Sequence, residues 1–187
     1  MTKNTKPITI TGGCGLVGSR IAKAIAAEGF SVVVLDRTSP RERGIVFPKR
    51  VTFKKVNLKN AQATRKALKG SGVVLHLAAN IGALSYMHDH QAEIITDHSA
   101  VDATLYAALV AEKVPAVIYA SSSMVFERAL RYPYTEKDLL DTPPPFNVYG
   151  FSKLSGEYFC RAYHTQFGLP HVVIRYHNIY GPGDYKK

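Results

Sequence analysis

Residues 7–18 read PITITGGCGLVG, and this stretch specifies the fold of the 187-residue chain. The four residues after Pro7 are all β-branched, which is typical of a short strand. Glycines at positions 12, 15 and 18 permit a tight turn, close approach of the backbone to a pyrophosphate, and close packing of a helix on the strand. A helical pattern follows over 19–29, and its first turn would present free N–H groups to phosphates. The stretch therefore predicts a strand, turn and helix that bind a dinucleotide.

The second predicted strand, at 31–36, ends in a carboxylate. Asp36 lies 18 residues after Gly18. An acid at this place hydrogen-bonds the ribose hydroxyls of NAD and repels the additional phosphate of NADP, so the sequence predicts NAD. The neighbouring Arg37 weakens this preference slightly. Glycines alone are a weak signal, whereas strand, glycines, helix, strand and acid in this order are a strong one.

The rest of the chain continues the alternation of strands and helices. This order predicts an α/β fold of the Rossmann type, in which a doubly wound parallel sheet forms the middle of three α/β/α layers. Ligands bind such sheets beyond the carboxyl ends of the strands, so residues at five strand ends should converge on one edge. These residues are Gly15, Asp36, Ala79, Ser122 and Asn178. The predicted strands are 7–11, 31–36, 51–56, 73–78, 115–120 and 171–176, and the predicted helices are 16–28, 60–69, 90–112 and 148–167.

Tyr149 and Lys153 carry the predicted chemistry. They are four residues apart, about one helical turn, so both side chains share a face. A phenol titrates near about pH 10, and a neighbouring ammonium favours its ionised form, which would let the tyrosine act as a base. The simpler alternative is an exposed ring and a solvated lysine on an ordinary helix. The serines at 121–123 are likewise either catalytic or a polar strand end.

The glycine spacing, Asp36 and the Tyr149–Lys153 pair together resemble the short-chain dehydrogenase/reductase superfamily. The resemblance is greatest to its extended branch, the NAD-dependent sugar-nucleotide epimerases and dehydratases. The chain departs from that family at Asn57, where an Asp contacting adenine is common, and at Ala100, which replaces an Asn. Four further segments match the family in order: HLAA at 76–79, YASSSMVF at 119–126, PYTE at 133–136 and RYHNIYGP at 175–182.

The resemblance implies a role for each matching residue. Tyr149 would take a proton from a sugar hydroxyl while the hydride on the same carbon passes to the nicotinamide, which gives a transient keto sugar. Ser122, or Ser123 after a slip of one residue, would hydrogen-bond the reacting oxygen, and Lys153 would hold the nicotinamide ribose. The implied catalytic residues are Ser122, Tyr149 and Lys153, and the implied substrate contacts are Ser122, Ser123, Tyr149 and Asn178. The implied NAD contacts are Gly12, Gly15, Leu16, Val17, Gly18, Asp36, Arg37, Asn57, Leu58, Leu77, Ala78, Ala79, Tyr149, Lys153 and Tyr176.

Ser123 and Met124 help to choose within the family. Related 4,6-dehydratases have an Asp-Glu pair here, decarboxylating relatives have a carboxylate at the position of Met124, and 3,5-epimerases have a cysteine there. A thioether can do none of these tasks, so the resemblance favours a UDP-sugar 4-epimerase. Three alternatives stay open: a NAD-binding module without turnover, a sugar-nucleotide dehydratase or reductase, and an atypical member that binds nucleic acid.

The length of the chain matches about half of an extended-branch enzyme. Residues 1–187 are enough for one NAD-binding Rossmann domain with a sound core, whereas these enzymes usually continue into a second lobe that binds the nucleotide sugar. We therefore expect the C-terminal substrate lobe to be absent or truncated. Family dimers pair two helices of each subunit, which implies a homodimer through the helices near 90–112 and 148–167.

Charge and metal-ligating residues suggest other partners less strongly. The formal net charge is +10, and residues 1–70 hold 15 Lys and Arg against 3 Asp and Glu, which can attract anionic ligands or nucleic acid. The basic residues are scattered without an aromatic platform, so nucleic-acid binding is not expected. The segment 88–90, with His98 downstream, raises the alternative of a metal site, but such a site needs three or four converging ligands. Residues 88–90 are therefore predicted to be a surface or substrate-facing loop, and no metal is expected.

The two cysteines and the hydropathy of the chain indicate a cellular location. Cys14 and Cys160 are far apart and have no metal-ligand spacing, which favours a reduced, cytoplasmic environment over a disulfide scaffold. No apolar run approaches the length of a membrane span, so no membrane partner is expected.

Overall fold

The computed structural model describes residues 6–82 and 84–182, and it has a parallel sheet as its framework. The remaining parts of the predicted domain, residues 1–5, 83 and 183–187, lie outside the described residues. The six strands are β1 (Ile8–Thr11), β2 (Val32–Asp36), β3 (Val51–Lys55), β4 (Val74–His76), β5 (Val117–Ser122) and β6 (His171–Tyr176).

The strands pair in the order β3-β2-β1-β4-β5-β6, and every pair is parallel. The order reverses between β1 and β4, which creates the crevice where ligands of such sheets bind. This topology confirms the Rossmann-type fold predicted from the sequence.

Helices cover both faces of the sheet. The helices are α1 (Leu16–Ala27), α2 (Ala61–Leu68), α3 (Leu84–Asp89), α4 (Gln91–Ala111) and α5 (Val148–Phe167). Ala22 of α1 packs with Ile10 and Val34 on one face. Leu68 of α2, Leu105 of α4 and Cys160 of α5 belong to a second buried cluster, on the opposite face. Alternating residues of β2, Val34 and Leu35, enter different clusters, as the period of two in a strand requires. The three α/β/α layers are therefore those predicted.

The observed helix and strand bounds follow the predicted ones closely, with one error after β4. The sequence predicts a loop at 88–90, but α3 covers Leu84–Asp89. The ring of Tyr86 stacks on that of His90 with centroids 4.2 Å apart, and this spacing of four residues is the one that a helical turn brings together. The prediction of a loop is therefore wrong for most of this segment.

Hydrogen-bonded caps determine where two of the helices begin. The side chain of Asn60 accepts from the amide of Ala63 at the start of α2. The side chain of Asn147 accepts from the amides of Tyr149 and Gly150, at 2.9 and 3.3 Å. Such caps satisfy amides that lack partners within the helix. The cap at Asn147 thus places Tyr149 in the first turn of α5.

Within the part of the chain that the structure describes, no helix combines the length and apolarity needed to cross a bilayer.

Candidate active site

The glycine-rich turn after β1 is packed so tightly that a Cβ at Gly12 or Gly18 would meet backbone atoms. Gly12 has a φ of 68°, and a Cβ on it would lie 2.8 Å from the Cα of Ala78. A Cβ on Gly18 would lie 2.5 Å from the carbonyl oxygen of Gly12. Backbone atoms cause both clashes, so neither can be relieved by rotating a side chain. The turn is therefore held against the loop that follows β4.

The N-terminus of α1 follows this turn and retains free amides. Gly15 is the N-cap residue, it provides no side-chain cap, and the first turn contains no acidic residue. Leu16 and Val17 are half-buried in that first turn. Uncapped amides at the positive end of a helix dipole suit a pyrophosphate. The predicted phosphate-binding residues thus fit a dinucleotide.

Asp36 connects the end of β2 to the glycine-rich turn. Its carboxylate accepts hydrogen bonds from the amides of Cys14 and Thr38, both at 3.0 Å. A carboxylate has about four acceptor positions, so two remain for ribose hydroxyls. The side chain of the neighbouring Arg37 is exposed. This placement is compatible with the predicted contact to the ribose.

The two predicted NAD contacts after β3, of which Asn57 is the expected adenine contact, differ in exposure. Asn57 is exposed, and its Oδ1 accepts from the amide of Lys59 at 3.1 Å. The side chain of Leu58 belongs to the buried core and is only 6% exposed. A contact between Leu58 and a base therefore has to come from its backbone.

The loop after β4 is fixed to the end of β1. The amides of Leu77 and Ala78 both donate to Oγ1 of Thr11, at 3.2 Å. Leu77, Ala78 and Ala79 are half-buried. The loop thus lies beside the glycine-rich turn, at the switch point of the sheet.

The three predicted catalytic side chains lie together where β5 meets α5. The side chain of Ser122, the last residue of β5, lies close enough to the side chain of Tyr149 to lower the pKa of the phenol. Nζ of Lys153 donates to the carbonyl oxygen of Ala120 at 2.9 Å and lies 6.0 Å from the centre of the Tyr149 ring. Lys153 is 5% exposed, which argues against the alternative of a solvated lysine on an ordinary helix.

The pKa of Tyr149 differs from the expectation based on the sequence. Burial raises this pKa above its ordinary value of 10.0, and the nearby hydroxyl of Ser122 opposes the rise only in part. The ammonium of Lys153 donates to the Ala120 carbonyl and lies 6.0 Å from the centre of the Tyr149 ring, and it does not reverse the rise. For the protein groups alone, the prediction that the lysine makes the phenol acidic is wrong.

Burial also affects Lys153 itself. It lowers the pKa of the lysine to about 8, and the carboxylate of Asp102 acts in the opposite direction. The carboxylate of Asp102 on α4 thus favours the charged form of Lys153, which is buried beside the phenol of Tyr149.

The remaining predicted contacts lie at the same edge of the sheet. Tyr176 is half-buried and is the register partner of Ser122. Ser123 is half-buried and begins a 3₁₀ turn that includes Met124. Asn178 lies two residues beyond β6 and is exposed.

The sequence interpretation misses several buried polar residues around this site. The ring of His76 bridges Thr11 and Asp102 with contacts of 2.7 and 2.8 Å, and is 1% exposed. The resemblance assigns residues 77–79 of the HLAA segment to NAD, whereas the side chain of His76 points into the core. The Glu157 carboxylate is also buried, and it accepts from Ser121 and, twice, from Arg175. Apart from the matched HLAA segment, no signal in the sequence indicates these contacts.

His98 also has a role different from the one considered for it. The sequence raises it as a possible metal ligand, but its two ring nitrogens contact Ser152 and Asn80. Among the residues described, no group of three or more His, Cys, Asp or Glu could hold a metal ion. Cys14 and Cys160 are free, buried thiols.

Comparison with known proteins agrees with this geometry. The family model described as NAD dependent epimerase/dehydratase family matches residues 8–187. GDP-mannose 3,5-epimerase of Arabidopsis thaliana is 27% identical over 180 residues, which are 94% of this chain and 47% of that protein. UDP-glucuronate 4-epimerase 4 of the same plant is 25% identical over 191 residues, with coverage of 97% and 43%.

A solved structure of an epimerase is also similar to this chain. The UDP-glucose 4-epimerase of Thermus thermophilus, in complex with NAD, is 27% identical with a TM-score of 0.80, and the match covers 94% of this chain and 56% of that one. The chain spans less than half the length of the two plant relatives. The chain therefore belongs to the NAD-dependent epimerase/dehydratase family, whose cofactor is NAD as the sequence predicted.

Proposed function

We propose that this chain is the dinucleotide-binding and proton-transfer part of a NAD-dependent epimerase that acts on a UDP-sugar at C4. The observation that carries this proposal is the placement of Ser122 beside Tyr149, with Lys153 buried next to them and its Nζ 6.0 Å from the centre of the Tyr149 ring. The pair lies at the carboxyl end of β5, in the same sheet edge as the glycine-rich turn.

The residues that would hold NAD are those whose geometry fits it. The amides at the start of α1 suit the pyrophosphate, and the carboxylate of Asp36 suits the ribose next to adenine. Lys153 would hold the nicotinamide ribose. When bound, oxidised NAD supplies the hydride acceptor and a positive charge that favours the phenolate.

The protein groups would move the proton. Tyr149 takes the proton of the sugar hydroxyl and later returns it, while Ser122 hydrogen-bonds the reacting oxygen and orients it. Because burial raises the pKa of Tyr149, the neutral phenol predominates at neutral pH. A neutral phenol can return a proton to the sugar oxygen. The hydroxyl of Ser122 lowers the pKa of the phenol less than burial raises it, and this interaction would favour the removal of the proton from the sugar hydroxyl.

Met124 supports epimerisation at one carbon over the other reactions of the family. It follows the catalytic serine closely, in the 3₁₀ turn Ser123–Phe126, and it carries no ionisable group. Dehydration, decarboxylation and 3,5-epimerisation would each need an acid or a base near this position. The relatives include both 3,5-epimerases and 4-epimerases, and a methionine here favours the second kind.

Turnover and NAD binding should be measured separately in the full chain. Calorimetric titration with NAD tests the dinucleotide site, and NMR of UDP-galactose incubated with the chain and NAD tests epimerisation. We expect Tyr149→Phe to retain NAD affinity and to lose turnover by about 100-fold or more. Binding of NAD without conversion of any UDP-sugar would leave a dinucleotide-binding module, and inversion of GDP-mannose at C3 or C5 would refute the C4 assignment.

The predicted homodimer through α4 and α5 remains a proposal. Phe151 and Tyr158 are seven residues apart on α5, on one face, and they are 45% and 59% exposed. Burial of these rings against a second copy would remove apolar area from water. Sedimentation of the chain and of a Phe151→Ser, Tyr158→Ser variant should show a dimer and a monomer respectively, and a monomeric wild-type chain would contradict the proposal.

A further inference from the structure

His98 on α4 lies between the loop after β4 and the first turns of α5. It is 6% exposed, and the proton transfer proposed above does not use it. The contacts of its ring connect Asn80 in that loop to Ser152 on α5. His98 therefore contacts both the loop beside the glycine-rich turn and the helix that carries Tyr149.

The hydrogen bonds determine which tautomer His98 adopts. Ser152 donates its hydroxyl proton to the carbonyl oxygen of Tyr149 at 2.8 Å, so towards Nδ1 of His98, 2.7 Å away, it can only accept. The ring proton is therefore on Nδ1. Nε2 lies 3.0 Å from the backbone amide of Asn80 and 3.2 Å from its carbonyl oxygen, and without a proton it accepts from the amide. The donors therefore run in one direction, from the loop to the residue that carries the catalytic phenol.

His98 also contacts Tyr149 through the rings. Their centroids are 6.1 Å apart and the planes are inclined by 74°, an edge-on arrangement that aromatic rings favour. Burial lowers the pKa of His98 to about 4, so the neutral tautomer is retained at neutral pH. Two independent contacts thus reach the same residue, one at its backbone and one at its ring.

The loop end of this chain of contacts is itself anchored. The side-chain amide of Asn80 donates to Oη of Tyr86 and to Oδ2 of Asp97, at 3.1 and 3.2 Å. Asp97 also pairs with Lys59 at 2.7 Å. A rigid loop can transmit a displacement to His98, whereas a loosely held one would absorb it.

We propose that His98 is a positioning residue that couples the loop after β4 to Tyr149, so that the phenol is held in a fixed place relative to the dinucleotide site. This inference rests on the proposed function, because that function gives the loop and the phenol their roles. A misplacement of about 1 Å can reduce the rate of an enzyme by about 100-fold, so such a coupling would matter for catalysis.

Three variants of the full chain separate the hydrogen bond from the shape of the ring. His98→Phe retains a planar ring and loses both nitrogens. His98→Asn places an amide donor near the position of Nδ1, so it can keep the bond to Ser152. Ser152→Ala interrupts the same connection from the other side. Ser155→Ala, on the same helix and partly exposed, is the matched control.

Hydrogen exchange measured by mass spectrometry reports the coupling without any need for turnover. In His98→Phe and Ser152→Ala, amides of residues 148–153 should exchange about tenfold faster, the factor that corresponds to one lost buried hydrogen bond. His98→Asn should restore most of the protection, and amides of α1 should be unchanged in all variants. A general loss of stability would instead accelerate exchange in α1 as well, and that result would overturn the proposal.

Addition of NAD tests the coupling directly. In the wild-type chain, NAD should protect residues 77–82 and 148–153 together. Because Tyr149 and Lys153 would also contact NAD themselves, His98→Phe should weaken the protection of residues 148–153 while leaving that of 77–82 unchanged. Equal protection of 148–153 in both proteins would overturn the inference. If the chain binds NAD but converts no UDP-sugar, a dinucleotide-binding module remains, and the exchange comparison still decides the role of His98.

Discussion

Gly156 lies in α5 where the helix is closest to β5, and replacing it with alanine tests the packing of the site. A Cβ at this position would lie 1.9 Å from Oη and 2.2 Å from Cζ of Tyr119. It would also lie 2.9 Å from Oδ2 of Asp102. The Asp102 carboxylate is held by His76 at 2.8 Å, and Tyr119 is 2% exposed, so neither neighbour can move freely. The added methyl group therefore has to displace the helix.

Helix propensity and overpacking act in opposite directions on the stability of Gly156→Ala. Alanine is favoured over glycine in a helix by about 1 kcal/mol. Overpacking a well-packed core costs about 1–3 kcal/mol, occasionally more, and a contact as short as 1.9 Å places this change at the upper end. We expect Gly156→Ala to lower the free energy of unfolding by about 2 kcal/mol, which corresponds to a fall in Tm of about 4–8 °C for a chain of this size.

Urea unfolding followed by circular dichroism is the appropriate assay. Ser155→Ala is the matched control, because it gains helix propensity at the neighbouring, partly exposed position, and it should stay within about 0.5 kcal/mol of the wild type. If Gly156→Ala were as stable as the wild type, or more stable, helix propensity would outweigh the clash. The close approach of α5 to Tyr119 would then be refuted.

A double-mutant cycle identifies the cause of the loss. Tyr119→Leu removes both atoms that the new methyl group would meet most closely. The two substitutions combined should be less destabilising than their separate effects added, with a coupling energy of about 1 kcal/mol or more. If the two effects were additive, the loss of stability in Gly156→Ala would not come from contact with the Tyr119 ring.

Other contacts give further predictions. Glu157→Gln leaves the charge of Arg175 unpaired and should lower the free energy of unfolding in urea by about 3 kcal/mol. Glu112→Gln breaks an ion pair with an exposed arginine and should lower it by less than about 1 kcal/mol. Equal losses of stability would contradict the argument that burial makes the first ion pair more important. His98 has an ordinary pKa of 6.5 and a folded value of about 4, so its contribution to stability is complete above pH 6.5 and is lost as the pH falls to 4, by up to about 3 kcal/mol. Unfolding measured across that pH range should show a shallower slope in His98→Asn, and an unchanged slope would refute the buried neutral state. Asn60→Ala removes a helix cap and should cost about 1 kcal/mol by thermal unfolding, while no change in Tm would mean that water replaces the cap.

Features that depend on neighbouring residues in the sequence were predicted correctly. The β-branched run before Gly12 and the glycines after it led to β1 and the turn, because both depend on local backbone preferences. The alternation of strands and helices led to the parallel sheet, and the sheet in turn placed Asp36 and Ser122 at one edge. The site residues recognised in the sequence either lie at the ends of strands, like Asp36 and Ser122, or share one helical turn, like Tyr149 and Lys153.

Burial between distant parts of the chain could not be predicted in this way. The contacts of His98 are with residues 18 and 54 positions away, and Thr11 is 65 positions from His76. The spacing of Tyr149 and Lys153 predicted an acidic phenol, but the pKa depends on desolvation, and desolvation depends on what packs around the ring.

The fold, the dinucleotide-binding turn and the residue types available for proton transfer could all be obtained from the order of amino acids alone, since they follow from local conformation and from the succession of strands and helices. The folded arrangement was needed to establish which polar groups are buried, which tautomer His98 adopts and how strongly Tyr149 holds its proton. Those properties arise from the loss of water and from hydrogen bonds between residues that the folded chain brings together, and neither is encoded in any short stretch of sequence.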